Sequence, residues 1–270
     1  MDENETPSPK TLSRQRYGRY AAGYVTSATH AKGADLDRLI EVVRPQPTWQ
    51  ALDVATGGGH TALKLAPHVA HVTATDLTPE MLASAERFVH GEGATNVDFR
   101  PADAENLPFD DATFDLVTCR IAAHHFPDCT RFVREVARVL VGDGRFWLQD
   151  HVLPADDAAA SYVDAFEKLR DPSHNRAFQE EEWLAMFGDA DLRVAHHEQV
   201  TKRHPFRQWA ERQGCSAEVL AELEVRLEAA PHRAAEWLEA QALGSAEASF
   251  VNHHILILGR KGRGERIGQG

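Results

Sequence analysis

The stretch Ala51-Leu52-Asp53-Val54-Ala55-Thr56-Gly57-Gly58-Gly59-His60, followed by Ala74-Thr75-Asp76, decides the fold. The apolar run from Ala51 to Ala55 is short and bounded by glycines, the pattern of a buried strand. Three consecutive glycines make a turn that can bring bare backbone against a ligand. Thr61 to Leu65 continues as a helix whose first N–H groups would face that ligand. A second strand, His71 to Thr75, ends in Asp76, about twenty residues beyond the glycines. Strand, glycine-rich turn, helix, strand and acid form the plan of a nucleotide-cofactor site, the acid accepting hydrogen bonds from ribose hydroxyls.

The loop also bears on which cofactor is bound. A nicotinamide fingerprint reads G-x-G-x-x-G, whereas here Asp53 stands inside the strand end and Gly57 to Gly59 are contiguous. An acid at that place repels phosphates and welcomes a cationic amino-acid moiety. S-adenosylmethionine carries a sulfonium and an ammonium and no phosphate. In these residues the chain resembles the class I S-adenosylmethionine-dependent methyltransferases, whose pattern is roughly D-x-G-x-G-x-G, with Ala55 in place of the first glycine. The resemblance covers Gln50 to about His151 closely. Arg120 through Phe126 and the segment Arg170-Asp171-Pro172-Ser173-His174 fit a bacterial small-molecule subgroup similar to the ubiquinone/menaquinone-type methyltransferases.

The implied fold is α/β: a Rossmann-like, doubly wound, mostly parallel seven-stranded sheet, with a helical insertion before the last strand. Strands at His71–Thr75, Val97–Arg100, Phe114–Thr118 and Arg145–Leu148 alternate with helices, which argues βαβ units. Thr78 is the expected cap of one helix, with Pro79 at its first position, and Asp128 of another. Leu192 to Val200 and Val251 to Leu258 read as the last two strands, with the insertion, residues 205–244, between them as a lid or a dimer arm. Val219, Leu220, Leu223 and Leu227 give it a helical stripe, and Pro231 breaks that stripe before Ala234 to Leu243. Residues 1–13 and 261–270 read as disordered tails around one domain, 14–260.

Composition narrows the partners. The formal charge of −12 works against binding a nucleic-acid backbone and favours a small molecule. Cys119, Cys129 and Cys215 are too few and too far apart for a disulfide framework or a zinc cluster, and no H-E-x-x-H or comparable ligand spacing occurs. No metal is expected. The start is polar and acidic, without an apolar signal segment, and no run reaches membrane-spanning length. A cytoplasmic monomer or homodimer is expected.

Carried over by the resemblance, Asp53 with Ala55, Gly57 and Gly59 would hold the methionine end. Asp76 would bind the ribose hydroxyls with Leu77 beside the adenine, Asp103 and Ala104 the adenine edge, and Arg120 with Ile121 the methionine side. Tyr17, Tyr20 and Tyr24, interleaved with arginines, suit a segment that folds over a ligand, or equally a surface helix that uses tyrosines for packing. In the resembled family such N-terminal tyrosines lie across cofactor and substrate, so Tyr20 is expected at the cofactor and Tyr17 and Tyr24 at the acceptor; His151, Arg170 and His174 are further candidates for the acceptor side, His151 and His174 also for a base.

Methyl transfer from a sulfonium needs the acceptor fixed in line with the S–CH₃ bond. A base is needed only where the acceptor must lose a proton. His124 stands where such a base is wanted, with His125 as its companion candidate, an imidazole being able to take a proton near neutral pH. Paired histidines at 196–197 and 253–254 have no catalytic context in the sequence. Two other readings stay open: a nicotinamide oxidoreductase, disfavoured by the glycine spacing, and an S-adenosylmethionine-binding protein that catalyses something else or only binds.

Overall fold

A computed structural model describes residues 8–25 and 34–263, the side chains of 19–34 excepted. The sheet grows from four strands of the first half: β1 (Gln50–Val54), β2 (His71–Asp76) and β4 (Phe114–Arg120), which are largely buried, and β3 (Val97–Pro101), which is mostly exposed at the sheet edge. β5 (Leu140–Leu153) extends it, and β7 (Leu192–Pro205) and β8 (Ser249–Lys261) complete it. The order is β3-β2-β1-β4-β5-β8-β7, and a two-residue strand, β6 (Phe178–Gln179), pairs with β5 off that path. The first five strands are parallel, while β8 runs antiparallel to both β5 and β7. The order reverses between β1 and β4, and open sheets of this kind bind ligands outside the strand ends at that switch point.

Helices cover both faces because their apolar stripes have no other place to bury. On one face lie α2 (Ala34–Val43), α3 (His60–Leu65) and α4 (Pro79–Gly91), with Leu39, Val43, Leu65 and Val89 packed around Trp147 and Leu116. On the other lie α5 (Cys129–Val139) and α7 (Glu180–Asp189), whose Phe132, Val136, Trp183 and Phe187 meet Phe146 and Ile257. Asp128 caps α5, its carboxylate accepting from the Arg131 N–H at 2.8 Å. Thr78 sits at the N-cap of α4 but makes no side-chain cap; its hydroxyl is bonded to Asp76 instead.

Three stretches differ from the sequence expectation. α1 (Pro9–Val25) begins inside the segment expected to be disordered: Pro9 suits a first helical turn, and the Ser8 carbonyl accepts the Leu12 N–H at 3.0 Å. β7 continues to Pro205, because its alternating half-buried and exposed residues pair with β8 along its whole length while presenting no apolar run. β8 likewise runs through Lys261, the first residue assigned to the tail. The insertion consists of α8 (Phe206–Glu211), α9 (Ala217–Glu228) and a last helix, α10 (His232–Leu238), shorter than its alanine-rich sequence suggests. It shares a core with α6 (Asp157–Arg170), where Phe166 stacks on Trp209 at 5.3 Å and Phe250 packs edge-on against both.

Candidate active site

A cavity of about 1160 Å³ runs along the carboxyl ends of β2, β1, β4 and β5 and on to the inner side of β7 and β8. Its first half is built by the glycine turn. Asp53, fully buried at the end of β1, accepts the Thr56 hydroxyl at 2.6 Å and the Thr118 hydroxyl at 2.7 Å. Burial pushes its carboxyl up to about 6 against those two donors. With both oxygens engaged, Asp53 fixes the loop as well as lining the cavity. Ala55 and Gly57 each take φ 54°, and Gly59 takes 83°. The Gly57 N–H donates to Asp76 at 3.1 Å and the Thr78 N–H at 2.9 Å, so that carboxylate is aimed before any ribose arrives.

Gly59 has a different task from the one expected. It does not line the cavity; a Cβ on it would lie 2.7 Å from a Val89 methyl and 3.2 Å from Ala85. The third glycine lets α3 and α4 approach each other. At the adenine end, Asp103 and the backbone around Ala104 line the cavity, and Lys10 of α1 reaches both Asp103 and Glu105 at 2.6 Å. At the other end Arg120 is held by Asp35, with Nε to Oδ2 at 2.7 Å. Ile121, at φ 53°, is a β-branched residue in left-handed backbone, strain of order 1–3 kcal/mol that marks functional turns. Gln149 beside it is 2% exposed and its Oε1 has no partner among the described residues. An ammonium is the donor such an oxygen lacks. A ribose acceptor at Asp76 and this orphaned carbonyl at the amino-acid end fit a nucleoside bearing a cationic amino acid.

The second half is a histidine array. The Asp150 carboxylate, wholly buried, accepts His124 N–H at 2.9 Å, His124 Nδ1 at 2.6 Å and His151 N–H at 2.7 Å. With Nδ1 turned to Asp150, Nε2 is the His124 atom left to take a proton. Burial, and the neighbouring His125, His151 and His174, hold His124 well below the usual histidine range, so the ring is neutral at pH 7. His125 donates from Nδ1 to the Ser173 carbonyl at 2.9 Å and receives the Tyr17 hydroxyl on Nε2 at 2.6 Å. The loop after α6 is pinned there by Asn175 and Arg176 N–H groups on the His124 carbonyl. His174 bonds Asp164 at 2.7 Å, and burial lowers His151 to about 4.

The structure therefore gathers Asp53, Ala55, Gly57, Asp76, Leu77, Asp103, Ala104, Arg120, Ile121, His124, His125, Tyr17, His151, Arg170 and His174 around one cavity. Asp150 lies behind His124 as its buried partner. Tyr20 and Tyr24 fall in α1, and their side chains lie outside the described residues. Trp209 reaches the cavity, whereas Trp237 stacks on His253 away from it, at 3.7 Å between centroids. His204, His254, Lys202 and Arg212 also line the cavity, and sequence reasoning missed them. The pairing of His151 with His254 across β5 and β8 brings the 253–254 pair next to the site, unlike the more exposed pair at 196–197. Among the described residues no group of three or more His, Cys, Asp or Glu could hold a metal ion.

Fold and site together define a protein of the Rossmann-like nucleotide-cofactor class. Residues 52–148 match the family model described as a methyltransferase domain. The uncharacterized methyltransferase YcgJ of Bacillus subtilis (strain 168) is 39% identical over 215 residues, 80% of this chain and 81% of its own length. A crystal structure from Bacillus halodurans, titled as that of a "putative methyltransferase", superposes with a TM-score of 0.82 at 36% identity, over 85% of this chain and 100% of that one. The ubiquinone/menaquinone biosynthesis C-methyltransferase UbiE of Brucella anthropi is 37% identical over 116 residues, 41% of this chain and 44% of that protein. The chain belongs to the S-adenosylmethionine-dependent methyltransferases and is an enzyme of that family.

Proposed function

We propose that this enzyme methylates a small-molecule acceptor, with S-adenosylmethionine as the donor, S-adenosylhomocysteine as the product and His124 as general base. The observation that carries the reading is the His124–Asp150 pair, set in the same cavity as Asp76 and the glycine turn. When bound, S-adenosylmethionine supplies an electrophilic methyl on a sulfonium, already a good leaving group. Asp76 would hold the ribose hydroxyls, Asp103 and the backbone at Ala104 the adenine edge, and Gln149 Oε1 the ammonium.

The chain's own residues then do three things. Asp150 fixes the tautomer and orientation of His124 and stabilises the imidazolium that forms when Nε2 takes a proton from the acceptor. Tyr17, His125 and the 171–176 loop wall the acceptor side, and α1 with Trp209 of α8 covers it, which keeps water from the reacting atoms. A small acceptor suits a recess of this kind and a chain of charge −12. No helix of the described residues is long and apolar enough to cross a membrane.

The test is a panel of hydroxylated, aminated and carbon-acid metabolites, with S-adenosylhomocysteine release and a 14-dalton mass gain read together. Turnover of one acceptor is expected to fall about 10²–10⁴-fold in His124→Gln with KM little changed. Turnover undiminished in that variant refutes the base. Binding of S-adenosylmethionine with no methylated product from any acceptor supports instead the fold's use for another reaction.

A further inference from the structure

The segment Arg170-Asp171-Pro172-Ser173-His174 contains an acid to which methyl transfer gives no task. Asp171 is 4% exposed and sits where α1, the loop after α6 and the turn carrying His124 and His125 meet. Its Oδ1 accepts the Ser173 N–H at 2.9 Å and the Ser173 hydroxyl, and the Arg16 guanidinium lies 3.1 Å away through Nε. The Tyr17 hydroxyl, which donates to His125 Nε2, is 3.4 Å from Oδ2. Burial works against the charge of Asp171, yet His125, the Ser173 donors and Arg16 together hold its carboxyl below the ordinary range. It is an anion at neutral pH.

The loop that Asp171 turns is the loop that holds both histidines. The Ser173 carbonyl accepts His125 Nδ1, and the Asn175 and Arg176 N–H groups reach the His124 carbonyl at 2.9 and 3.0 Å. A closed ring of contacts results, Arg16 to Asp171 to Ser173 to His125 to Tyr17, which begins and ends on adjacent residues of α1. That helix rests on α4, but between Pro9 and Gly18 only Leu12 and Tyr17 carry a large apolar body. Polar ties do the rest. Lys10 holds Asp103 and Glu105 at the adenine end, and Arg16 at the acceptor end also donates to the Gln213 carbonyl at 2.5 Å. Ties of this kind exchange for water at little net cost, so a helix held by them opens readily. When α1 lifts, a buried carboxylate loses its guanidinium, which is unfavourable unless the loop opens to water as well. Helix and loop are therefore coupled.

We infer that Asp171 is a positioning residue that makes the placement of His124 and His125 depend on α1. With α1 down, Arg16 orders Asp171, Asp171 orders the backbone from Ser173 to Arg176, and that backbone orders the two histidines. The use of His124 as a base comes from the acceptor-site reading, on which this assignment rests; the tie itself is read without acceptor or cofactor.

The test is hydrogen–deuterium exchange of the full chain, without ligands, in the parent, Arg16→Ala, Arg16→Lys, Asp171→Asn and the Arg16→Ala/Asp171→Asn double variant. Asparagine at 171 keeps an oxygen for the Ser173 donors and removes the charge. Arg16→Ala and Asp171→Asn are each expected to speed exchange about tenfold at 173–176 and at 122–126, the scale of one charged hydrogen bond. Exchange in β1 and β2 should stay parental, which shows that the fold is kept. The double variant should exchange no faster than either single one, because both break the same tie. Arg16→Lys should restore most of the protection. Faster exchange confined to 171–176 in Asp171→Asn overturns the inference and leaves Asp171 a loop cap. Additive effects overturn it too, as does unchanged exchange at 122–126 in Arg16→Ala. If Asp171→Asn does not fold, the Arg16 variants decide: Ala must loosen 122–126 and Lys must protect it. S-adenosylhomocysteine titrated into the parent by calorimetry is read separately; absence of binding refutes the cofactor reading and leaves the tie as measured.

Discussion

At the scale of single residues, the site is held by backbone conformations that its side chains disfavour. Ala55 sits at φ 54° at the position where the resembled pattern has a glycine. An L-residue with a Cβ in left-handed backbone costs roughly 1–2 kcal/mol. Ala55→Gly is therefore expected to raise stability by about 1 kcal/mol, offset in part by the freer unfolded chain, and to leave S-adenosylhomocysteine affinity unchanged. A stability loss in urea titration would show that the methyl group contributes packing that outweighs the strain. Asp150 makes a second claim testable. Asp150→Asn keeps the shape but removes the charge that orients and supports His124, so kcat should fall about 10²–10⁴-fold. Because burial disfavours imidazolium at His124, the acid limb of kcat/KM in the parent enzyme should lie below pH 6.5. A limb at or above that value points to a more exposed base.

At the scale of elements, what was legible depended on whether a segment's own sequence carries its reason for folding. β1, β2 and β4 are buried on both faces, β1 announces itself as a short apolar run between turn residues, and α5 shows its stripe directly. β7 is an edge strand with half-buried residues alternating against exposed ones, so only its pairing with β8 reveals its length. α1 has no apolar stripe, and its place against α4 and the cavity comes from Lys10, Arg16 and Tyr17 reaching partners far away in sequence. The glycine turn was legible as a turn, but not the division of labour within it. Gly57 aims its N–H at Asp76, whereas Gly59 serves the junction of α3 and α4. Gly59→Ala should thus cost about 2–4 kcal/mol, from left-handed backbone and overpacking against Val89. Val89→Ala in the same chain should recover part of the packing share. Equal stability of Gly59→Ala and parent by thermal unfolding would contradict this account of the junction.

At the scale of the whole molecule, the same burial that builds the histidine array makes stability depend on pH. His124, His125, His151, His204, His253 and His254 are all held below the ordinary histidine value, His151 to about 4 and His204 to about 3. In the unfolded chain they protonate near pH 6.5, so unfolding takes up protons below that pH and the folded state loses stability as pH falls from 6.5 toward 4. Burial raises four carboxyls, Asp53, Asp76, Asp150 and Glu167, with the opposite sign over part of that window. The melting temperature is expected to drop between pH 7 and pH 5, as the buried imidazoles titrate. A flat or rising profile would contradict a buried, neutral array. A ligand that binds only the folded state raises the melting temperature by mass action, so a cofactor held at Asp76 has a thermal signature. The most direct measurement is therefore the melting temperature of parent and Asp76→Ala with S-adenosylhomocysteine and, separately, with NAD. S-adenosylhomocysteine alone is expected to stabilise the parent, an effect largely lost in the variant. Stabilisation by NAD and not by S-adenosylhomocysteine would contradict it.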